Sequence, residues 1–181
     1  MKYASLVLGL ILSANLVFGQ QENAATRVYI VRHAEKESGK DPVLTPGGFK
    51  RAGDLARALK NEGIQKIYVS RTRRSQLTAD SLRIQAGIDT VHYTADTLCD
   101  ELVKTIMEHR DFGKTILVVA HSNTIPHILR KLGVSDFPPG DLPDNAFDNI
   151  FLVTYKKEKA VLKQMKYGDR SGASEPMKPL Q

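Results

Sequence analysis

Val28-Tyr29-Ile30-Val31 runs directly into Arg32-His33-Ala34-Glu35-Lys36. A short apolar run rich in β-branched residues reads as a buried strand, and here a guanidinium and an imidazole follow where that strand emerges. The arrangement recurs downstream, where Thr115-Ile116-Leu117-Val118-Val119-Ala120 ends at His121-Ser122-Asn123. A third strand, Ile67-Tyr68-Val69-Ser70, leads into Arg71, Arg73 and Arg74. Three strand ends that each deliver a basic group would build a small site for an anion the size of phosphate.

Working outward from these strands, the pattern alternates. Glu37 to Leu44 is a loop with turn residues at Gly39 and Asp41-Pro42. A helix is expected from Thr45 as N-cap and Pro46, with Phe49, Ala52, Ala56 and Leu59 as its apolar stripe and Gly63 beyond its end. A second helix begins near Arg73 and stops by Gly87, and Thr90 to Tyr93 is a short strand. Asp96 or Thr97 is expected to cap a third helix on which Leu98, Leu102 and Ile106 repeat, ending before Gly113. Thr115 to Ala120 is the most continuous apolar strand and so belongs at the centre of a sheet covered on both faces. A fourth helix spans about Thr124 to Leu132, and Phe137 to Pro143 is an irregular loop. Ile150 to Tyr155 and Ala160 to Met165 read as a hairpin. Strands alternating with helices over short connections imply an α/β fold with a largely parallel sheet. Such folds bind ligands beyond the carboxyl ends of their strands, where Arg32, His33, Ser70 to Arg74 and His121 all fall.

The first nineteen residues read as a signal peptide, with Lys2 as the positive region, Ala4 to Leu12 as the apolar region and cleavage after Gly19. A retained membrane anchor is the weaker reading, because Ser13 and Asn15 interrupt a run already short of the ~20 apolar residues a spanning helix needs. The expectation is therefore an exported protein, periplasmic or secreted, from a bacterium. Cleavage leaves 162 of the 181 residues, enough for one domain over residues 20–169, followed by a loose polar tail over 170–181.

Cys99 has no partner for an internal disulfide and sits among carboxylates, which marks it as structural. The formal net charge is +6, or +5 without Lys2, which favours anionic partners without naming one. No zinc finger, RNP motif or basic-aromatic platform supports nucleic acid as the partner. Lys156-Lys157 and the stretch from Lys163 to Lys166 alternate with apolar residues as a solvated strand face does. His92 and His109 lack a strand-end context, and His121 and His127 are six apart, so no metal-ligand spacing emerges and no cofactor is implied. Phosphoryl transfer suits the strand-end set better. Its catalysis is positioning and charge neutralisation by arginine, and a neutral histidine can attack phosphorus without a base.

Arg32-His33-Ala34-Glu35-Lys36, Leu44-Thr45-Pro46-Gly47-Gly48, Ser70 with Arg74-Ser75-Gln76-Leu77-Thr78-Ala79, and Val118-Val119-Ala120-His121-Ser122-Asn123-Thr124 together resemble the histidine phosphatase superfamily, also called phosphoglycerate mutase-like. The resemblance implies a three-layer sandwich with helices on both faces of the sheet. It also implies His33 as the phosphorylated nucleophile, with Arg32, Arg74 and His121 completing the phosphate pocket. Ala34 replaces the family's usual glycine, and Asp96, Asp100 and Glu101 are rival candidates for a general acid, unless there is none. The 47 positions from Arg74 to His121 leave no room for an inserted helical cap, so an open, shallow site is expected. The substrates implied are accessible phosphomonoesters, small or carried on a glycan or protein. The alternatives kept open are a non-catalytic phosphate or phospho-ligand binding module on the same fold and, third, a phosphomutase. Oligomeric state is not legible.

Overall fold

A computed structural model describes residues 25–109, 111, 113–156 and 159–171. The segment read as a signal peptide and the end of the expected polar tail lie outside them. In chain order the elements are β1 (Thr26–Arg32), α1 (Pro46–Leu59), β2 (Lys66–Ser70), α2 (Arg73–Ala86), β3 (Thr90–Tyr93), α3 (Asp100–Glu108), β4 (Thr115–Ala120), α4 (Ile125–Lys131), β5 (Asn149–Lys156) and β6 (Lys159–Lys166). The six strands form one sheet in the order β3-β2-β4-β1-β5-β6. The β3-β2, β2-β4 and β4-β1 pairs are parallel, and the β1-β5 and β5-β6 pairs are antiparallel.

The central strands are apolar on both faces because helices cover both. Tyr29, Val31, Ile67, Val69, Leu117 and Val119 face Leu55, Ala56, Leu59, Ala79 and Leu82 of α1 and α2. Val28, Ile30, Ile116 and Val118 face Leu102, Ile106, Ile125, Ile128 and Leu129 of α3 and α4. Burying each such aliphatic side chain contributes about 1.5–3 kcal/mol, which is why the alternating residues need no polar face. The α/β three-layer sandwich with a largely parallel sheet is thus the observed architecture.

The chain leaves β1 toward α1 on one face and leaves the neighbouring β4 toward α4 on the other. Loops that part in this way open a crevice at the carboxyl end of the pair.

Local signals place most boundaries. Thr45 caps α1 by accepting from the Gly48 N–H at 3.0 Å, and Pro46 opens the helix. Gly87 ends α2 in the left-handed region, its N–H returning to the Arg83 carbonyl.

Three expectations need correction. Phe49 is 50% exposed rather than part of the buried stripe, which runs instead through Gly48, Ala52, Leu55, Ala56 and Leu59. Gly48 is pressed against the chain after β1 so closely that a Cβ there would lie 2.1 Å from the Glu35 carbonyl oxygen, and this approach turns Phe49 outward. The third helix begins at Asp100, not after a cap at Asp96 or Thr97, and Leu98 is exposed. Cys99 adopts a left-handed backbone (φ 56°), which a helix cannot run through. Finally, the expected loose tail is tied down at its start: the Ser171 N–H donates to Asp148 Oδ2 at 3.2 Å, and its Oγ accepts from the Phe147 and Asp148 N–H groups.

Candidate active site

The register of β1 against β4 pairs Arg32 with Ala120 and continues one step further, the His33 N–H donating to the Ala120 carbonyl at 2.9 Å. Neighbouring strands lie about 4.8 Å apart, so the next residues on each, His33 and His121, must stand side by side. Their ring centroids are 5.2 Å apart in an edge-to-face arrangement. Both rings are buried. On the other side of β4, Ser70 at the end of β2 receives a hydrogen bond from His121 Nε2 at 2.9 Å, and Arg74 in the first turn of α2 brings Nη2 to 3.4 Å from His121 Nδ1. The four residues expected to form a phosphate pocket therefore converge.

Hydrogen bonding sets the tautomers. His33 Nδ1 lies 2.8 Å from the Ala34 carbonyl, which can only accept, so Nδ1 carries the proton and Nε2 keeps a free lone pair. Guanidinium only donates, so His121 Nδ1 accepts from Arg74 and Nε2 donates to Ser70. Burial, then the charges of His121, Arg74 and Arg32, push the pKa of His33 down to about 3, against the raising effect of its bond to Ala34. Burial, then the Arg74 and Arg32 charges, push His121 down to about 4. Both rings are neutral at physiological pH.

The Arg32 guanidinium is firmly held, and both guanidiniums are incompletely satisfied. Arg32 Nη1 donates to the Pro143 and Asp144 carbonyls at 3.0 and 2.9 Å, and its guanidinium lies 4.2 Å from the centroid of the Phe147 ring. Arg32 Nε and Arg74 Nε are both buried without an acceptor among the described residues. An unmade bond of this kind costs about 1–3 kcal/mol, and two of them on adjacent cations mark a place where an anion belongs.

Several supports carry no signal that sequence reasoning used. Thr78 Oγ1 accepts from the Ala34 N–H at 2.9 Å and donates to the Arg74 carbonyl at 2.7 Å, which locks the chain after His33 to the turn that carries Arg74. Ser70 and Thr78 stand inside the family-like motif and could have been assigned a role from it. Phe147, 6.2 Å from the His33 ring, could not, because nothing in its neighbourhood of sequence distinguishes it. Its backbone N–H and that of Asp148 both donate to Ser171 Oγ, at 2.8 and 2.9 Å. Ala34 has no left-handed backbone and is fully buried, so an alanine fits where the family usually has glycine. Glu35 turns away to Arg51, whose Nε donates to both its oxygens at 2.8 Å.

None of the three candidate acids bonds or pairs with the four basic side chains. Asp100 pairs with Lys131 at 2.6 Å. Glu101 accepts from the Thr94 N–H at 2.9 Å, a bond that holds its carboxyl below the usual range. Asp96 lies in the turn before α3, where its carbonyl accepts from Cys99 N and Sγ. Burial, with Asp96 nearby, pushes the Cys99 thiol up to about 11, consistent with a structural residue. Among the described residues no group of three or more His, Cys, Asp or Glu side chains could hold a metal ion, and no helix is long and apolar enough to cross a membrane.

The comparisons with known proteins agree with this geometry. Residues 28–98 match the model of the histidine phosphatase superfamily (branch 1), a span that includes Arg32, His33 and Arg74 but not His121. No curated protein matches the chain. Among solved structures, the protein histidine phosphatase SixA complexed with tungstate is 20% identical with a TM-score of 0.60, over 77% of this chain and 96% of that one. A mycobacterial glucosyl-3-phosphoglycerate phosphatase is 15% identical with a TM-score of 0.60, over 79% and 98%. Phosphoglycerate mutase from Bacillus anthracis str. Sterne is 14% identical with a TM-score of 0.62, over 81% and 95%. At these identities each likeness concerns the fold. Residues 28–98 thus match the histidine phosphatase superfamily (branch 1), and the chain as a whole has a phosphoglycerate mutase-like fold.

Proposed function

We propose that this protein is an exported, metal-independent phosphatase that hydrolyses phosphomonoesters through a phosphohistidine at His33. The observation that carries the reading is the free Nε2 lone pair of a neutral, buried His33 beside two guanidiniums whose Nε–H groups lack acceptors. A phosphoryl group seated on Arg32 and Arg74 presents its phosphorus to Nε2, and the P–N bond forms as the bond to the leaving oxygen breaks. Water then attacks phosphorus from the side the leaving group vacated and releases phosphate. The negative charge shared among the transferred oxygens is met by the two arginines and by His121. Beside an anion, the last of these gains a proton that burial and the arginines otherwise deny it. Each such donor supplies on the order of 2.7–4 kcal/mol of transition-state stabilisation.

Export rests on the signal-like pattern of residues 1–19. The substrate belongs among accessible phosphomonoesters, and the similar structures add phosphohistidine in proteins and glucosyl-3-phosphoglycerate to the set worth testing.

The test is rapid-quench labelling of the mature protein with a radiolabelled aryl phosphate, with and without chelator. An acid-labile phosphoenzyme, turnover insensitive to chelator, and loss of both label and phosphate release by at least about 10³-fold in His33→Ala are expected. Retained activity in that variant removes His33 as nucleophile. The engagement of Asp100 and Glu101 elsewhere favours a second reading, a non-catalytic phosphate-binding module. Stoichiometric phosphate binding without turnover would decide for it.

A further inference from the structure

We infer that Asp41 is the proton donor to the leaving group, in the place the sequence offered to Asp96, Asp100 or Glu101. The inference rests on the proposed phosphatase reading. Asp41 lies in the loop between β1 and α1, and its Oδ1 is 4.0 Å from Arg74 Nη1. Among the described residues no other carboxylate comes within 4.0 Å of a nitrogen of Arg32, His33, Arg74 or His121. The same oxygen accepts from the Arg73 N–H at 3.0 Å, which fixes the carboxyl against the first turn of α2 while leaving the side chain 46% exposed.

The fork of Arg74 supplies the direction. One terminal nitrogen reaches His121 Nδ1 and the other points to Asp41, so the carboxyl and the histidine pair flank the guanidinium on opposite sides. In an in-line displacement the leaving oxygen departs on the side of phosphorus opposite the nucleophile. A phosphoryl group held by Arg74 against His33 therefore turns its leaving oxygen toward the Asp41 side. Arg74, drawn to the phosphoryl oxygens, releases its loose contact with Asp41, which leaves that carboxyl facing the leaving oxygen. In the first step the His33 Nε2–P bond forms, the P–O bond to the leaving group breaks, and that oxygen takes the proton of Asp41. In the second, a water oxygen bonds to phosphorus, the P–N bond breaks, and the water's proton returns to Asp41. The carboxyl ends as it began.

Leaving-group dependence separates this role from a merely structural one. Asp41→Asn keeps an oxygen to accept from Arg73 but has no proton to give. For glycerol phosphate, an alkyl ester whose alkoxide must be protonated, kcat/KM is expected to fall by about 10²-fold or more. For 4-nitrophenyl phosphate, whose phenolate leaves unprotonated, kcat/KM, which reports only the steps through phosphoenzyme formation, is expected to fall by less than about threefold, while hydrolysis of the shared phosphoenzyme slows for both. Equal losses of kcat/KM on both esters, or no loss on either, overturn the inference, as does a selective loss in Asp144→Asn instead. If the wild-type protein turns over neither ester, the phosphatase reading itself has failed. A wild-type protein active on both, with a uniform effect of Asp41→Asn, costs only this assignment.

Discussion

The two ends of the sheet treat charge in opposite ways. At the amino end of the parallel strands two clusters of charged and hydroxyl groups are matched internally. Arg27 pairs with Glu62 at 2.6 Å, Tyr29 donates to the same carboxylate, and the fully buried Asp111 takes Tyr68 and Lys114 as partners. At the carboxyl end Arg32, His33, Arg74 and His121 crowd together, two guanidinium nitrogens go unpaired, and the nearest carboxylate stands 4.0 Å away. The first end is built to be stable alone. The second withholds its counter-charge, which is the condition for binding an anion tightly, and its histidines stay unprotonated first because they are buried and then because the arginine charges stand beside them.

This contrast breaks most sharply under substitution at each end. Arg74→Ala is expected to lower kcat/KM by about 10²–10³-fold with little change in thermal stability. Arg27→Ala, an exposed pair at the far end, should cost under about 1 kcal/mol of stability and leave kcat/KM intact. Comparable kinetic losses in both variants would erase the distinction. Asp111→Ala strips partners from the buried Tyr68 hydroxyl and from Lys114, and on the order of 3 kcal/mol should disappear in urea denaturation while activity per folded molecule stays the same.

Acid sharpens the comparison further. His33 and His121 have folded pKa values of about 3 and about 4, below the unfolded value of about 6.5. The unfolded chain therefore binds more protons, so their contribution is complete above about pH 6.5 and is lost as the pH falls from there toward 4 and 3. Each ring withdraws up to about 1.4 kcal/mol per pH unit in that window. Melting temperature against pH should show this slope, and inorganic phosphate should flatten it by supplying the missing counter-charge. A slope unaffected by phosphate would disconnect the two histidines from an anion site. The smallest effect expected is that of Ser171→Ala. Losing the hydroxyl that holds the Phe147 and Asp148 amides should reduce kcat/KM several-fold, about 0.5–1.5 kcal/mol, through a looser aromatic wall beside Arg32.

The elements that could be read in advance are those whose signal is local. Thr45-Pro46 and Gly87 bound their helices because capping is a matter of a few neighbouring residues. The apolar run Thr115 to Ala120 declared a central strand because only a doubly covered strand has no polar face. Phe49 was misplaced because helical spacing does not reveal that Gly48 lets the backbone approach Glu35. Leu98 was misplaced because its spacing to Leu102 and Ile106 carries no trace of the left-handed turn at Cys99. Arg32, His33, Arg74 and His121 were legible from strand ends and motif, whereas Phe147, Ser171 and Asp41 reach the site only across long loops.

What the sequence alone determined is which residues end each strand, since the hydrophobic run, its stop and the basic group beyond it are adjacent along the chain. Tertiary structure decided which strands are neighbours and in what register. Placing β4 directly beside β1, with Arg32 opposite Ala120, sets two imidazoles 5.2 Å apart. A slip of one residue would have sent one of them to the other face, because side chains alternate along a strand with a period of two.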